Sequence, residues 1–120
     1  MNKYEKAIEN IDKHPAKWEK ELYHFIYSNR NTPFQVDLYY YPDTHEFWQF
    51  ENAGGNSWLN DDHITVYSVN NKFSEEWESG RIRETASYYK DHISDIIDQI
   101  REELEQDAEL ARDEEEGTIR

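Results

Sequence analysis

The chain has 120 residues, a formal net charge of −14, no cysteine and 36% hydrophobic residues. That length suits one domain with one core, and the missing cysteine excludes a disulfide framework, a thiolate zinc site and a Cys nucleophile. The negative charge opposes direct binding to nucleic acid or anionic lipid and favours basic partners. Low hydrophobicity with high charge is a signature of disorder, but four Trp, nine Tyr and five Phe supply large buried areas per residue and argue for a folded domain.

Two short helices are predicted first. Tyr4, Ala7, Ile8 and Ile11 share one helical face, and Trp18, Leu22, Phe25 and Ile26 share another. His14-Pro15 separates them, since proline suits a first helical turn. Asn29 to Pro33 reads as a turn. Phe34, Val36, Leu38 and Tyr40 then alternate with Gln35, Asp37 and Tyr39, the pattern of a half-buried strand. Tyr41-Pro42-Asp43-Thr44 has turn chemistry, and Glu46 to Phe50 returns as the second strand of a hairpin. Asn52 to Asn56 is a loop. His63 to Val69 is a third strand, rich in β-branched residues.

A long helix is expected to close the chain, with Ser74 as N-cap and Glu75 and Glu76 in its first turn. Gly80 is a possible early interruption. Its apolar stripe reads Ile82, Ala86, Tyr89, Ile93, Ile96, Ile100 and Leu104, a near-heptad pattern that weakens to Ala108 and Ala111. The stripe suits burial against the sheet or a coiled coil in a homodimer. Residues 113–120 are expected to fray as an acidic tail behind a single domain at 1–112. The expected fold class is α+β: two N-terminal helices, a three-stranded antiparallel sheet and a long C-terminal helix packed on the sheet.

Charge is distributed unevenly. Residues 1–30 carry six basic and five acidic side chains, residues 31–80 one and nine, and residues 81–120 six and thirteen. Within the last helix a second stripe stands out: Asp91, Asp95, Asp98, Glu102, Glu105, Glu109, Asp113 and Glu116. It sits two positions on from the apolar stripe, about 200° around the helix, and places a carboxylate roughly every 5 Å along the axis. Like charges at i, i+4 weaken a helix by about 0.2–0.5 kcal/mol per pair, and acids near a C-terminus oppose the macrodipole. Two readings remain open, an ordinary solvated face and an anionic surface shaped for a basic groove. Asp37, Asp43, Glu46, Glu51, Asp61 and Asp62 add acids around the strands. Tyr39, Tyr41 and Trp58 are candidates for exposed rings among them, a setting in which arginine both pairs and stacks. Trp48, Phe50 and Trp77 read instead as completing the second face of the sheet.

No motif for catalysis is present. There is no phosphate loop, no HExxH, no Gly-x-Ser-x-Gly and no EF-hand spacing. His45-Glu46 and Asp61-Asp62-His63 form a divalent-metal or acid–base cluster if the second and third strands pair, and otherwise are polar strand ends. No cofactor is expected, and neither is enzymatic activity. The start Met1-Asn2-Lys3-Tyr4-Glu5-Lys6 is already amphipathic, and no apolar run has the length of a signal peptide or membrane span, so a cytoplasmic protein is expected.

In size, acidity and the row Asp91 to Glu116 the chain resembles, in general kind, small phage and mobile-element inhibitors of host defence, including DNA-mimicking anti-restriction proteins and anti-CRISPR proteins. The resemblance implies a host-cytoplasmic inhibitor that presents acidic rows to the basic groove of a nuclease or defence complex, and it implies no shared fold. The partner-binding candidates are Asp91, Asp95, Asp98, Glu102, Glu105 and Glu109, with Asp61, Asp62 and Glu46. An adaptor or immunity-type protein that neutralises a basic partner needs the same surface, and a small-molecule or metal-binding domain is a third reading.

Overall fold

The structure, a computed structural model, describes residues 1–30, 32–51, 62–70 and 86–119, with the side chains of the last helix described over 92–113. Helix α1 (Lys3–Lys13) begins at a capping box. Asn2 Oδ1 accepts from the Glu5 N–H at 2.9 Å, and Glu5 Oε1 accepts from the Asn2 N–H at 3.0 Å. Two orphan donors of the first turn are thereby satisfied. Pro15, which lacks an N–H, opens α2 (Pro15–Ser28) where no intrahelical partner is required. Asn29 ends α2, its backbone N–H and its Nδ2 both donating to Phe25 O. The faces legible in the sequence are the buried ones: Ala7 and Ile11 on α1, and Trp18, Leu22, Phe25 and Ile26 on α2.

Strands β1 (Val36–Tyr41), β2 (Glu46–Glu51) and β3 (Ile64–Val69) form one antiparallel sheet in the order β2-β1-β3. The sequence suggests a half-buried β1 starting at Phe34. Phe34 instead precedes the strand and is exposed, while every residue from Val36 to Tyr40 is buried. The reason is position. β1 is the central strand, and both its faces are covered. Val36, Leu38 and Tyr40 enter the helical core. On the opposite face Tyr39 stacks on Phe50 at 5.1 Å and on His63 at 4.4 Å. A register shift beside Leu38 and Tyr39 pairs them with Tyr67 and Thr65, leaving Val66 as the extra residue of a bulge, and Val66 too is buried.

Helix α3 (Ala86–Ile119) packs on α1 and α2. Its Ile93, Ile97, Ile100 and Leu104 join the same core cluster as Trp18, Phe25, Leu38, Tyr40 and Val69. The buried stripe runs through Ile97, whereas Ile96, the residue chosen by a near-heptad reading, is half-buried at the rim. Consecutive residues stand about 100° apart around a helix, so only one of these neighbours faces the core, and Ile97 continues the 4, 3, 4 spacing from Ile93 to Ile100 and Leu104. Ser74, Gly80 and Ile82 lie outside the described residues. The backbone is helical as far as Ile119. The centre of the core is aromatic: Trp18 meets Tyr40 at 4.7 Å and Phe47 at 4.9 Å, the latter edge to face. Burying each such side chain stabilises the fold by about 1.5–3 kcal/mol.

Candidate partner-binding surface

With Ile93, Ile97, Ile100 and Leu104 facing the core, helical geometry turns the acidic row outward. Asp95, Asp98, Glu102, Glu105, Glu109 and Asp113 are all exposed. Asp91 belongs to the same helix, and its side chain and that of Glu116 lie outside the described set. Between residues 92 and 113 eight carboxylates accompany two arginines, so the outer side of α3 is an anionic ridge.

Arg101 is spent at the flank of this ridge. Its Nε and Nη2 donate to the two carboxylate oxygens of Asp12 at 2.9 and 3.0 Å, and its Nη1 donates to Glu105. The fork ties α3 to α1 with bidentate geometry. The guanidinium holds the Asp12 carboxyl below its ordinary value, and Asp12, ahead of Glu105, pushes the arginine upward. Lys13 does the same for Glu9 on α1, lowering it through a 2.8 Å hydrogen bond. These pairs are exposed, where an ion pair contributes roughly 0–1 kcal/mol. Between α1 and α3 runs an open groove of about 570 Å³, lined by Ile8 and Ala108, by Glu5, Glu9 and Glu109, and by Lys13 and Arg112, so its carboxylates are interspersed with two cations.

The acids nominated around the sheet lie on other elements. Glu46 is exposed on β2 and Asp62 is exposed just before β3, while Asp61 lies outside the described residues. β2 and β3 both pair with β1 and occupy opposite edges, so the pairing needed to bring His45-Glu46 to Asp62-His63 is not made. Among the described residues no group of three His, Asp or Glu is placed to hold a metal ion. His45 is engaged elsewhere, since its Nδ1 lies 2.9 Å from the Tyr40 hydroxyl and 3.3 Å from Asn10 Nδ2.

That contact belongs to a polar network which sequence reasoning missed. Asn10 sits within the buried face of α1, and its Oδ1 accepts from the buried Trp18 Nε1–H at 2.7 Å. This bond orients the amide, so that Nδ2 faces His45. The tautomer consistent with both contacts is the one with the proton on Nε2, leaving Nδ1 as acceptor. Burial pushes the Tyr40 hydroxyl up to about 12. The residue that closes the network, His45, has a left-handed backbone at φ 60. Among the described residues no buried side-chain polar atom lacks a partner. The available signal was an asparagine between Ala7 and Ile11 on an otherwise apolar stripe.

The aromatics also depart from expectation. Trp48 and Phe50 do lie on the second face of the sheet, with Tyr39 and Tyr41. Trp48, however, is 49% exposed, while Tyr39, a candidate for exposure, is only 6% exposed. Trp58 and Trp77 lie outside the described residues. No helix among the described residues is long and apolar enough to cross a membrane. Fold and surface together define an α+β domain with an anionic helical ridge. Compared with protein families, curated proteins and solved structures, the chain matches none.

Proposed function

We propose that this protein is an acidic binding protein that occupies the basic nucleic-acid groove of a partner enzyme and inhibits it by charge mimicry. The observation that carries this reading is the exposed row Asp95, Asp98, Glu102, Glu105 and Glu109, set opposite the buried stripe of a helix anchored along both N-terminal helices. The helix that carries the row is held by Ile93, Ile97, Ile100 and Leu104 in the core and by Arg101 on Asp12. Its carboxylates recur about every 5 Å, a spacing comparable with that of charges on a nucleic acid strand. Association with a basic groove is then fast and strongly weakened by salt.

The test is competition. The protein is expected to displace duplex DNA from a nuclease or defence complex with a Lys/Arg-lined groove, less well as salt rises. A variant carrying Lys at Asp95, Asp98, Glu102 and Glu109 is expected to keep its fold and lose the displacement. Full displacement by that variant would overturn the reading. Tight binding to a basic protein that handles no nucleic acid would favour an adaptor or immunity-type role instead.

A further inference from the structure

Where α2 meets the start of β2 there is an open notch of about 440 Å³, lined by Lys17 and Glu21 of α2 and by His45, Glu46, Phe47 and Trp48. Trp48 is 49% exposed, so its ring forgoes much of the burial that stabilises an indole. The ring is nonetheless held in place. Its Nε1 donates to Glu46 Oε2 at 3.0 Å, and Tyr41 abuts it edge-on at 6.4 Å. That bond engages one carboxylate oxygen of Glu46 and leaves Oε1 available to a ligand.

Both acids of the notch lack an ionic partner. Among the described residues neither Glu21 nor Glu46 forms an ion pair, and Glu21 is half-buried, so its charge is only partly hydrated. Lys17 stands four residues before Glu21, the spacing of a helical ion pair. Its Nζ is instead directed to the His45 carbonyl at 3.3 Å and lies 5.9 Å from the centroid of the Phe47 ring. One part of the notch thus already holds a cation over an aromatic ring, supplied by the chain itself. The Trp48 part offers a ring and two carboxylates, and among the described residues no cation lies over that ring. An ammonium is a compact, strongly hydrated charge. A guanidinium is planar and weakly hydrated, lies flat on an indole, and keeps its N–H donors in plane to reach carboxylates beside the ring.

We infer that the notch between α2 and β2 binds a guanidinium group, stacked on Trp48 and paired with Glu46 and Glu21. A small free guanidine and an arginine side chain of a partner protein share this chemistry, and the test separates them. None of the lining residues belongs to α3, so the inference does not depend on the ridge reading.

The probes are butylguanidine, butylamine and arginine blocked as its Nα-acetyl N-methylamide. Each is titrated into the intact protein, with sodium chloride at equal concentration as reference, and followed by amide and indole NMR shifts. Butylguanidine is expected to shift the Trp48 indole N–H saturably, with a Kd on the order of 10 mM. Butylamine carries the same charge and is expected to bind at least about threefold more weakly. Glu21→Gln and Trp48→Leu are each expected to weaken butylguanidine by about threefold, with the rest of the spectrum showing that the fold persists. The variant with Lys along the α3 row is expected to retain the binding, which separates this test from that of the ridge. Blocked arginine binding as tightly as butylguanidine assigns the site to an arginine of a protein chain, and its exclusion assigns the site to a free guanidine. Equal binding of butylamine, undiminished binding by Trp48→Leu, or no saturable shift beyond that of sodium chloride would each overturn the inference.

Discussion

Replacing Glu102 with lysine should make the protein more stable and less able to bind. Glu102 is exposed on α3, four residues after Asp98 and three before Glu105. Each like-charge neighbour at that spacing costs about 0.2–0.5 kcal/mol, and an opposite charge contributes a similar amount in the other direction. Reversing one charge therefore shifts two pairs by roughly 0.8–2 kcal/mol in total. Glu105 already accepts from Arg101, which places the expected gain in the lower half of that range. For a domain of this size the gain corresponds to a rise in Tm of roughly 3–6 °C. The assay is thermal unfolding followed by circular dichroism at an ionic strength of about 0.01 M and again at about 1 M. Screening lengths there are about 30 and 3 Å, so the gain should shrink at high salt. Displacement of DNA from the partner should weaken in parallel. An unchanged or lower Tm at low salt would refute the claim that the row stores repulsion. A higher Tm with undiminished displacement would make the row an ordinary solvated face.

Two further predictions concern the interior. Asn10→Ala removes the acceptor of the buried Trp18 N–H and should cost about 1–3 kcal/mol in denaturant unfolding. In a Trp18→Phe background, which lacks that N–H, the same substitution should cost distinctly less, and equal costs in the two backgrounds would show that the bond contributes nothing. Tyr40, pushed up to about 12 by burial, titrates in the folded chain above its unfolded value near 10. Its contribution is complete below pH 10 and is lost as pH rises from there through 12. Urea midpoints should fall over that interval in the native protein, and the part of the fall that disappears in Tyr40→Phe belongs to this hydroxyl.

The helices were legible in the sequence because their signals are local. Pro15 interrupts the chain without any tertiary partner, and the stripes on α1 and α2 are the buried faces. The acidic row was legible for the same reason, since the helical period alone sends Asp95, Asp98, Glu102, Glu105 and Glu109 to one side. Strand existence followed from residue type and alternation. What alternation does not contain is which strands are neighbours. Only the tertiary structure made β1 central, burying Asp37 and Tyr39 on the face that was expected to be open. The same arrangement put His45-Glu46 and Asp62-His63 on opposite sides of β1 and left Trp48 exposed. Likewise nothing local links Asn10, Trp18, Tyr40 and His45, which come from three elements and a turn. Periodicity is a property of neighbours along the chain, whereas strand order and buried polar networks are decided by loop closure and packing between distant segments. That is why the composition and the helix faces were fixed by sequence alone, and the geometry of the sheet surface by the fold.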